Sequence, residues 1–414
     1  MKSILSLFCF LFTILGFSQD STSTYKKRVL ETPEVDFLIS YYSQDGNNAA
    51  VTGGIGTEEL TDFTPTIVVA IPLNDDDVLT IDAGVSAYTS ASSSNVDPFD
   101  GPGDPDPFVA SSGASGSDLW FNVSANYSHS SDDRNNLWSG KVAFANEYDY
   151  TSIGFGGSYT RLFNEKNTEV SINANVYLDT WNIIYPMELR PIELSGLEPL
   201  SSKSRNSYSV GFGFSQILSK QLQGSLSLDL VQQDGLLSTP FQRIYFSDQP
   251  DFFVGNNFQI ADDIERLPDS RFKTAIGGRL HYYANEFMVI RTYYRYYFDD
   301  WGINSHTASI EVPVKLGDKF TVYPSYRYYN QTASDYFFAN NEALSTDEFY
   351  TSDYDLSEFS ANQYGFGITY TDIFTKFNLW KLGLKSIDLK YNYYKRDSGL
   401  KFSLISGGFK FILN

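Results

Sequence analysis

"TEVSINANVYLDTW", Thr168 to Trp181, decides the fold. Val170, Ile172, Ala174, Val176 and Leu178 fall on one side of an extended chain. Glu169, Ser171, Asn173, Asn175 and Asp179 fall on the other. Strand side chains alternate faces with a period of two, while a helix repeats after about 3.6 residues, so no helix has one apolar face here. The stretch is also long for a strand of a soluble protein, which averages about 5–6 residues. It has the length to cross a bilayer at a tilt, for which about 9–11 residues suffice.

The same alternation recurs to the end of the chain. In "LQGSLSLDL", Leu222, Leu226, Leu228 and Leu230 oppose Gln223, Ser225, Ser227 and Asp229. About sixteen such segments can be marked by this pattern. They start near Val35, Phe63, Val78, Leu119, Leu137, Ser152, Thr168, Ser207, Leu222, Arg271, Phe287, Ser305, Phe320, Phe359, Ile387 and Leu400. Short connections (74–77, 131–136, 164–167, 218–221, 284–286, 317–319) all follow even-numbered segments. Longer ones (45–62, 90–117, 182–206, 233–270, 332–358) lie between them. A soluble β-sandwich has no reason to sort its loops this way. A membrane barrel does, with short periplasmic turns and long extracellular loops. The pattern predicts an all-β, antiparallel up-and-down transmembrane barrel over 35–414, following a short periplasmic segment, 19–34. The stretch 371–386 is long for a periplasmic turn, and a brief amphipathic helix is expected there.

The start, "MKSILSLFCFLFTILGFSQD", has Lys2, an apolar run from Ile4 to Leu15, and small Gly16 and Ser18. It reads as a secretory signal, residues 1–18. Cys9 is the only cysteine and leaves with it, which excludes disulfides and thiol chemistry. The formal charge is −20, and losing the positive Lys2 makes it −21. Nucleic acid, which needs a basic footprint, is not an expected partner. The expected location is the bacterial outer membrane, with its lipid as the first partner. The final "SGGFKFILN", through Ser406, Gly408, Phe411 and Leu413, resembles the signal read by the outer-membrane barrel-assembly machinery. Asn414 departs from a terminal aromatic.

"RTYYRYYFDDWGINSHT", Arg291 to Thr307, is the densest functional candidate. Arg291 and Arg295 share parity and belong on the lumen side, since arginine at the bilayer midplane costs about 2–4 kcal/mol. Arg327 joins them. These lumen basic residues either pair with carboxylates or bind an anion. Tyr294 and Tyr296 then face lipid. Aromatics close most outgoing strands: Tyr41, Tyr88, Tyr150, Trp181, Tyr326, Tyr328, Tyr391 and Tyr393 complete an expected aromatic girdle. A sugar-binding platform is the alternative. His306 has the parity of Ala308 and Ile310, which is poor for a lumenal base. His129 and His281 stand near periplasmic turns. Asp97, Asp100, Asp104 and Asp106 could offer oxygen ligands to Ca²⁺, though their spacing matches no EF-hand. No other cofactor is implied.

The tract Tyr294-Arg295-Tyr296-Tyr297, the Asp300-Trp301-Gly302 and Ser305-His306-Thr307 steps, and Arg327-Tyr328-Tyr329 with Gln331 resemble a recurrent pattern. It is that of an uncharacterised bacterial outer-membrane family, domain of unknown function 3570. The resemblance implies a β-barrel and assigns no activity. Asp300, Trp301, His306, Thr307 and Gln331 form its rim motif. The functions expected are a pore or a membrane-embedded scaffold for envelope proteins. A surface binding module built on the acidic, aromatic loops and a rim enzyme are the alternatives. The longest loop, 233–270, is the expected constriction or plug. With strands beginning by Val35, no separate N-terminal plug domain is expected.

Overall fold

The computed structural model describes residues 28–89, 118–190, 201–254 and 258–413. The strands are β1 (Glu34–Asp45), β2 (Leu60–Pro72), β3 (Asp77–Tyr88), β4 (Asp118–Ser130), β5 (Asn136–Asn146), β6 (Tyr150–Phe163), β7 (Thr168–Asn182), β8 (Ser202–Ser219) and β9 (Leu222–Gly235). Four two-residue strands follow within one long loop: β10 (Arg243–Ile244), β11 (Phe253–Val254), β12 (Phe258–Gln259) and β13 (Asp263–Ile264). Then come β14 (Ser270–Tyr283), β15 (Val289–Asp299), β16 (Asn304–Glu311), β17 (Val314–Leu316), β18 (Phe320–Gln331), β19 (Phe359–Thr371), β20 (Asn378–Leu379), β21 (Leu382–Arg396) and β22 (Lys401–Leu413).

Eighteen of these form one antiparallel sheet. β16 and β17 are two halves of one crossing, interrupted at Pro313, and β20 is a two-residue spur on β21. The sheet therefore crosses sixteen times. It closes where β22 pairs with β1, from Glu34↔Ile412 to Asp45↔Lys401. Closure leaves no open edge, so the backbone donors and acceptors of the wall are satisfied within it.

Two strands begin before the alternation marks them. β8 starts at Ser202 rather than Ser207, because "SKSRN" has no apolar residue and is held by pairing with the end of β7 (Trp181↔Lys203). β21 starts at Leu382 rather than Ile387, behind a bulge between Leu384 and Ser386 that breaks the period. The helix expected within 371–386 does not form. Asp372 instead accepts the N–H groups of Lys376 (2.8 Å) and Phe377 (3.1 Å), curling the chain into a turn.

The wall is apolar outside and polar inside. Val170, Ile172 and Leu178 of β7 are exposed outward, as are Leu226 of β9 and Ile276 of β14. Inward stand small or polar residues such as Ser171, Asn175, Ser227 and Gly277. The loops at the two rims differ in kind. Six turns at one rim are short. At the other, 46–59, 183–190, 236–254, 258–269 and 332–358 fold together as a cap over the mouth. One cluster joins Ile244, Phe246, Ala343 and Tyr350, with Phe338 against it. A second joins Leu237, Leu267 and Trp301, with Tyr336 and Leu356 against it. Backbone bridges Phe246↔Ala343 and Arg266↔Tyr350 tie the two longer loops. The loop 233–270, expected as a constriction or plug, is thus one part of a cap that other loops share.

Candidate functional site

The lumen arginines do not behave alike. Arg291 pairs with Glu311 at 2.9 Å, and Lys390 approaches the same carboxylate at 3.7 Å. Arg295 and Arg327 make no ion pair among the described residues. Both line a cavity of about 470 Å³ between the wall and the underside of the cap. Arg396 of β21 joins them, pairing with Asp355 of the cap at 2.8 Å and lying 3.9 Å over the Phe359 ring. Glu58 and Asp353 enter the same cavity from the cap loops. Tyr394 and Phe402 stack at 4.5 Å in its wall.

The rim motif divides into two functions. Trp301 is 3% exposed and sits in the second cap cluster, donating its ring N–H to the Ser270 carbonyl at 3.0 Å. The Arg271 guanidinium covers its ring at 4.3 Å and pairs with Asp299 at 2.5 Å. Asp299 in turn accepts the N–H groups of Trp301 and Ile303, both at 3.0 Å. Asp300 accepts the Phe272 N–H at 3.0 Å. Gly302 closes this turn at φ +86, where any β-carbon would also meet the Asp335 carboxylate at 2.6 Å. Gln331 holds the cap from below, donating to the carbonyls of Asp355 (2.9 Å) and Ser357 (2.6 Å). Thr307 is buried on the inner face, opposite Arg295. His306 lies on the outer face, bonded to the Tyr294 hydroxyl at 2.7 Å and 5.0 Å from the Tyr296 ring. It stands on the face of Tyr294 and Tyr296, away from the lumen.

Seven of the strand-end tyrosines lie on the outward face: Tyr41, Tyr294, Tyr296, Tyr326, Tyr328, Tyr391 and Tyr393. Tyr88, Tyr150 and Trp181 do not. Tyr88 has the parity of Gly84 and Ser86, on the lumen side. Tyr150 gives its hydroxyl to Asp179 and packs edge-on against Trp181 at 6.0 Å. Trp181 is only 8% exposed and donates to Asp149 at 3.1 Å. Beyond it Phe241 of the cap meets the Trp181 ring edge-on at 6.4 Å. Trp181, backed by Tyr150, therefore fastens the cap to the inner wall. A strand-end position marks the rim, but parity decides which side of the wall a ring takes.

The charge chemistry of the cap has no counterpart in the sequence reading. Arg243 and Glu188, each 1% exposed at the side chain, form a two-pronged pair at 2.5 and 3.0 Å. Arg243 also donates to the Val51 carbonyl at 3.0 Å, so one guanidinium joins three loops. Glu265 accepts from the Thr239 N–H and the Thr351 hydroxyl, both at 2.5 Å. Burial, then the charge of Asp353, pushes its carboxyl up to about 8. Burial, then the charge of Asp355, raises Asp353 to about 6. Loops of this composition have no period to read.

The histidines stay apart. His129 pairs with Asp77 at 2.6 Å by a short turn, and His281 lies inward beside Arg291. No group of three or more metal-ligating side chains occurs among the described residues. Asp97, Asp100, Asp104 and Asp106, and the expected signal 1–18 with Cys9, lie outside them.

Comparison with solved structures gives distant likenesses. The "bacterial polysaccharide outer membrane secretin" aligns over 92% of this chain and 98% of its own, at 10% identity and TM-score 0.47. The siderophore receptor PirA from Pseudomonas aeruginosa aligns over 94% of this chain, which spans 62% of the receptor, at 10% identity and TM-score 0.43. A deltaS2 mutant of the TodX monoaromatic hydrocarbon channel aligns over 93% and 91%, at 9% identity and TM-score 0.41. Comparison with curated proteins finds no match. The family profile described as "Protein of unknown function (DUF3570)" matches residues 6–403, nearly the whole chain. The chain belongs to that family.

Proposed function

We propose that this protein is an outer-membrane channel for small polar solutes, with a folded cap in its outer mouth. One observation carries the reading. Below the cap, the lumen-facing Glu169, Asn173, Asp229 and Arg279 are exposed to solvent rather than packed against one another. A barrel of sixteen strands is wide enough to leave an aqueous interior unless something fills it. Among the described residues the filling is confined to one end. The apolar outer wall, with tyrosines at the long-loop rim, suits lipid on all sides. The short-turn rim is then periplasmic. The exposed Phe409 and Leu413 of β22, with the buried Phe411 of the same parity between them, support recognition of this strand by the barrel-assembly machinery. The reading assigns no catalytic step.

A non-conducting scaffold for envelope proteins is the second reading, favoured by the close packing of the cap. Planar-bilayer conductance separates the two. The channel reading expects steps from the native chain, and larger ones when 237–267 is replaced by a short glycine-serine linker. Silence from both proteins, each shown to be folded by heat-modifiable gel migration, would overturn it.

A further inference from the structure

The cavity beneath the cap is lined by opposite charges that do not meet. Arg295 of β15 and Arg327 of β18 come from the wall. Glu58 and Asp353 come from the cap loops. Among the described residues none of the four has an ion-pair partner, although Arg271, Arg291 and Arg396 nearby all do. Asp355, the remaining carboxylate of the cavity, is already taken by Arg396. An unpaired charge in a partly buried site is costly, and opposite charges that can reach each other pair. The four are instead held apart by the cavity itself.

Its size, about 470 Å³, is within the range of about 300–1,000 Å³ found for small-molecule sites. Arg327 is exposed, so the cavity opens to the solvated lumen on that side. Three neighbouring groups give the space an aromatic and hydrogen-bonding lining. Tyr394 and Phe402 stack face to face, Tyr42 lies 4.9 Å from Phe402, and Gln363 bonds Asn392 at 3.2 Å. Two buried nitrogens at the edge, Nε of Arg295 and Nε of Arg396, and one oxygen, Oε2 of Glu58, lack hydrogen-bond partners. Buried polar atoms without partners are few in native structures and concentrate where water, an ion or a ligand completes the site.

We propose that this cavity binds a small zwitterion, a free α-amino acid. Its carboxylate lies toward Arg295 and Arg327, its ammonium toward Glu58 and Asp353, and its side chain against the Tyr42, Phe402 and Tyr394 rings. Guanidinium groups match a carboxylate with parallel N–H donors. An anion alone would satisfy the wall and leave the cap carboxylates unpaired, and a cation alone the reverse. The proposal goes beyond the channel reading, because binding needs no passage through the barrel.

The test is calorimetric titration of the detergent-solubilised protein, still heat-modifiable on gels, with L-phenylalanine, N-acetyl-L-phenylalanine, L-phenylalaninamide and acetate. L-phenylalanine is expected to bind, and the two masked forms at least tenfold more weakly. Arg295→Gln with Arg327→Gln should abolish binding of L-phenylalanine. Arg279→Gln, a lumen arginine outside the cavity, should leave it unchanged. Equal binding of L-phenylalanine and its N-acetyl form, or of acetate, would overturn the proposal in favour of a plain anion site. No binding by the native protein would reduce the cavity to water. Native binding unaffected by the double substitution would place the ligand elsewhere.

Discussion

The wall and the cap are built on opposite plans. In the wall, apolar side chains face out and polar ones face in, and the backbone ladder supplies the cohesion. In the cap, Ile244, Phe246 and Tyr350 face in, as in a soluble domain, but the interior also encloses the Arg243–Glu188 pair and the Glu265 carboxyl. The wall repeats one rule across sixteen crossings. The cap depends on a few irreplaceable contacts between loops far apart in the chain. Single substitutions should therefore damage the cap while leaving the wall closed.

The largest effect is expected at Arg243. Arg243→Ala strands a buried Glu188 carboxylate and should cost the cap about 3–5 kcal/mol. Hydrogen exchange in 236–269 and 332–358 should quicken while β7 and β8 stay protected and gel migration keeps its heat dependence. Loss of protection in both regions would show that wall and cap are one cooperative unit. Close behind stands a contrast within the wall. Leu226→Arg puts a charge on the lipid face and should cost about 2–4 kcal/mol near the midplane. Asp229→Arg, three residues on and facing the lumen, should fold at nearly native yield. Equal loss from both would break the assignment of faces.

A smaller effect follows from Glu265. Its folded carboxyl holds a proton up to about 8, whereas an opened cap would expose a carboxyl with the ordinary value near 4.5. The folded cap binds the extra proton between these values, so its stability falls as pH rises through that window and grows as pH falls. Asp353, raised to about 6, adds the same sign lower in the window. Slower exchange of cap amides at about pH 6 than at about pH 8.5, after correction for intrinsic rates, is the expected result. Glu265→Gln should flatten the difference. The smallest effect concerns selectivity. Arg295→Ala should shift the reversal potential toward cations. Native and variant channels equally cation-selective would show that Arg295 does not set the lumen field.

This contrast also separates what could be read in the sequence from what could not. A strand that faces lipid on one side and water on the other must alternate, so "TEVSINANVYLDTW" announces its structure. The lumen parity of Arg291, Arg295 and Arg327 followed from the cost of charge in lipid. The misplacing of Trp181 is instructive, because it stands on the same odd parity as Glu169, Ser171 and Asp179. The parity signal is present in the sequence, and face outranks proximity to a strand end. Trp301 could be seen as part of a shared turn, and its place as a peg for the cap depends on Leu237 and Leu267, more than thirty residues away. Arg243 and Glu188 are separated by 55 positions and lie in loops with no period, so nothing local marks them as partners.

The central claim is that the wall separates lipid from a watery lumen along each strand, and β7 offers the most direct measurement. Cys9 is the only native cysteine, so single cysteines can be placed one at a time from Val170 to Asp179 in a Cys9→Ser background. Each is assayed in liposomes with a membrane-impermeant thiol reagent and, separately, with a lipid-phase quencher of an attached fluorophore. The account predicts that 171, 173 and 175 react with the aqueous reagent and 170, 172 and 178 report the lipid-phase quencher. Equal behaviour of neighbouring positions, or reversal of the two sets, would contradict it.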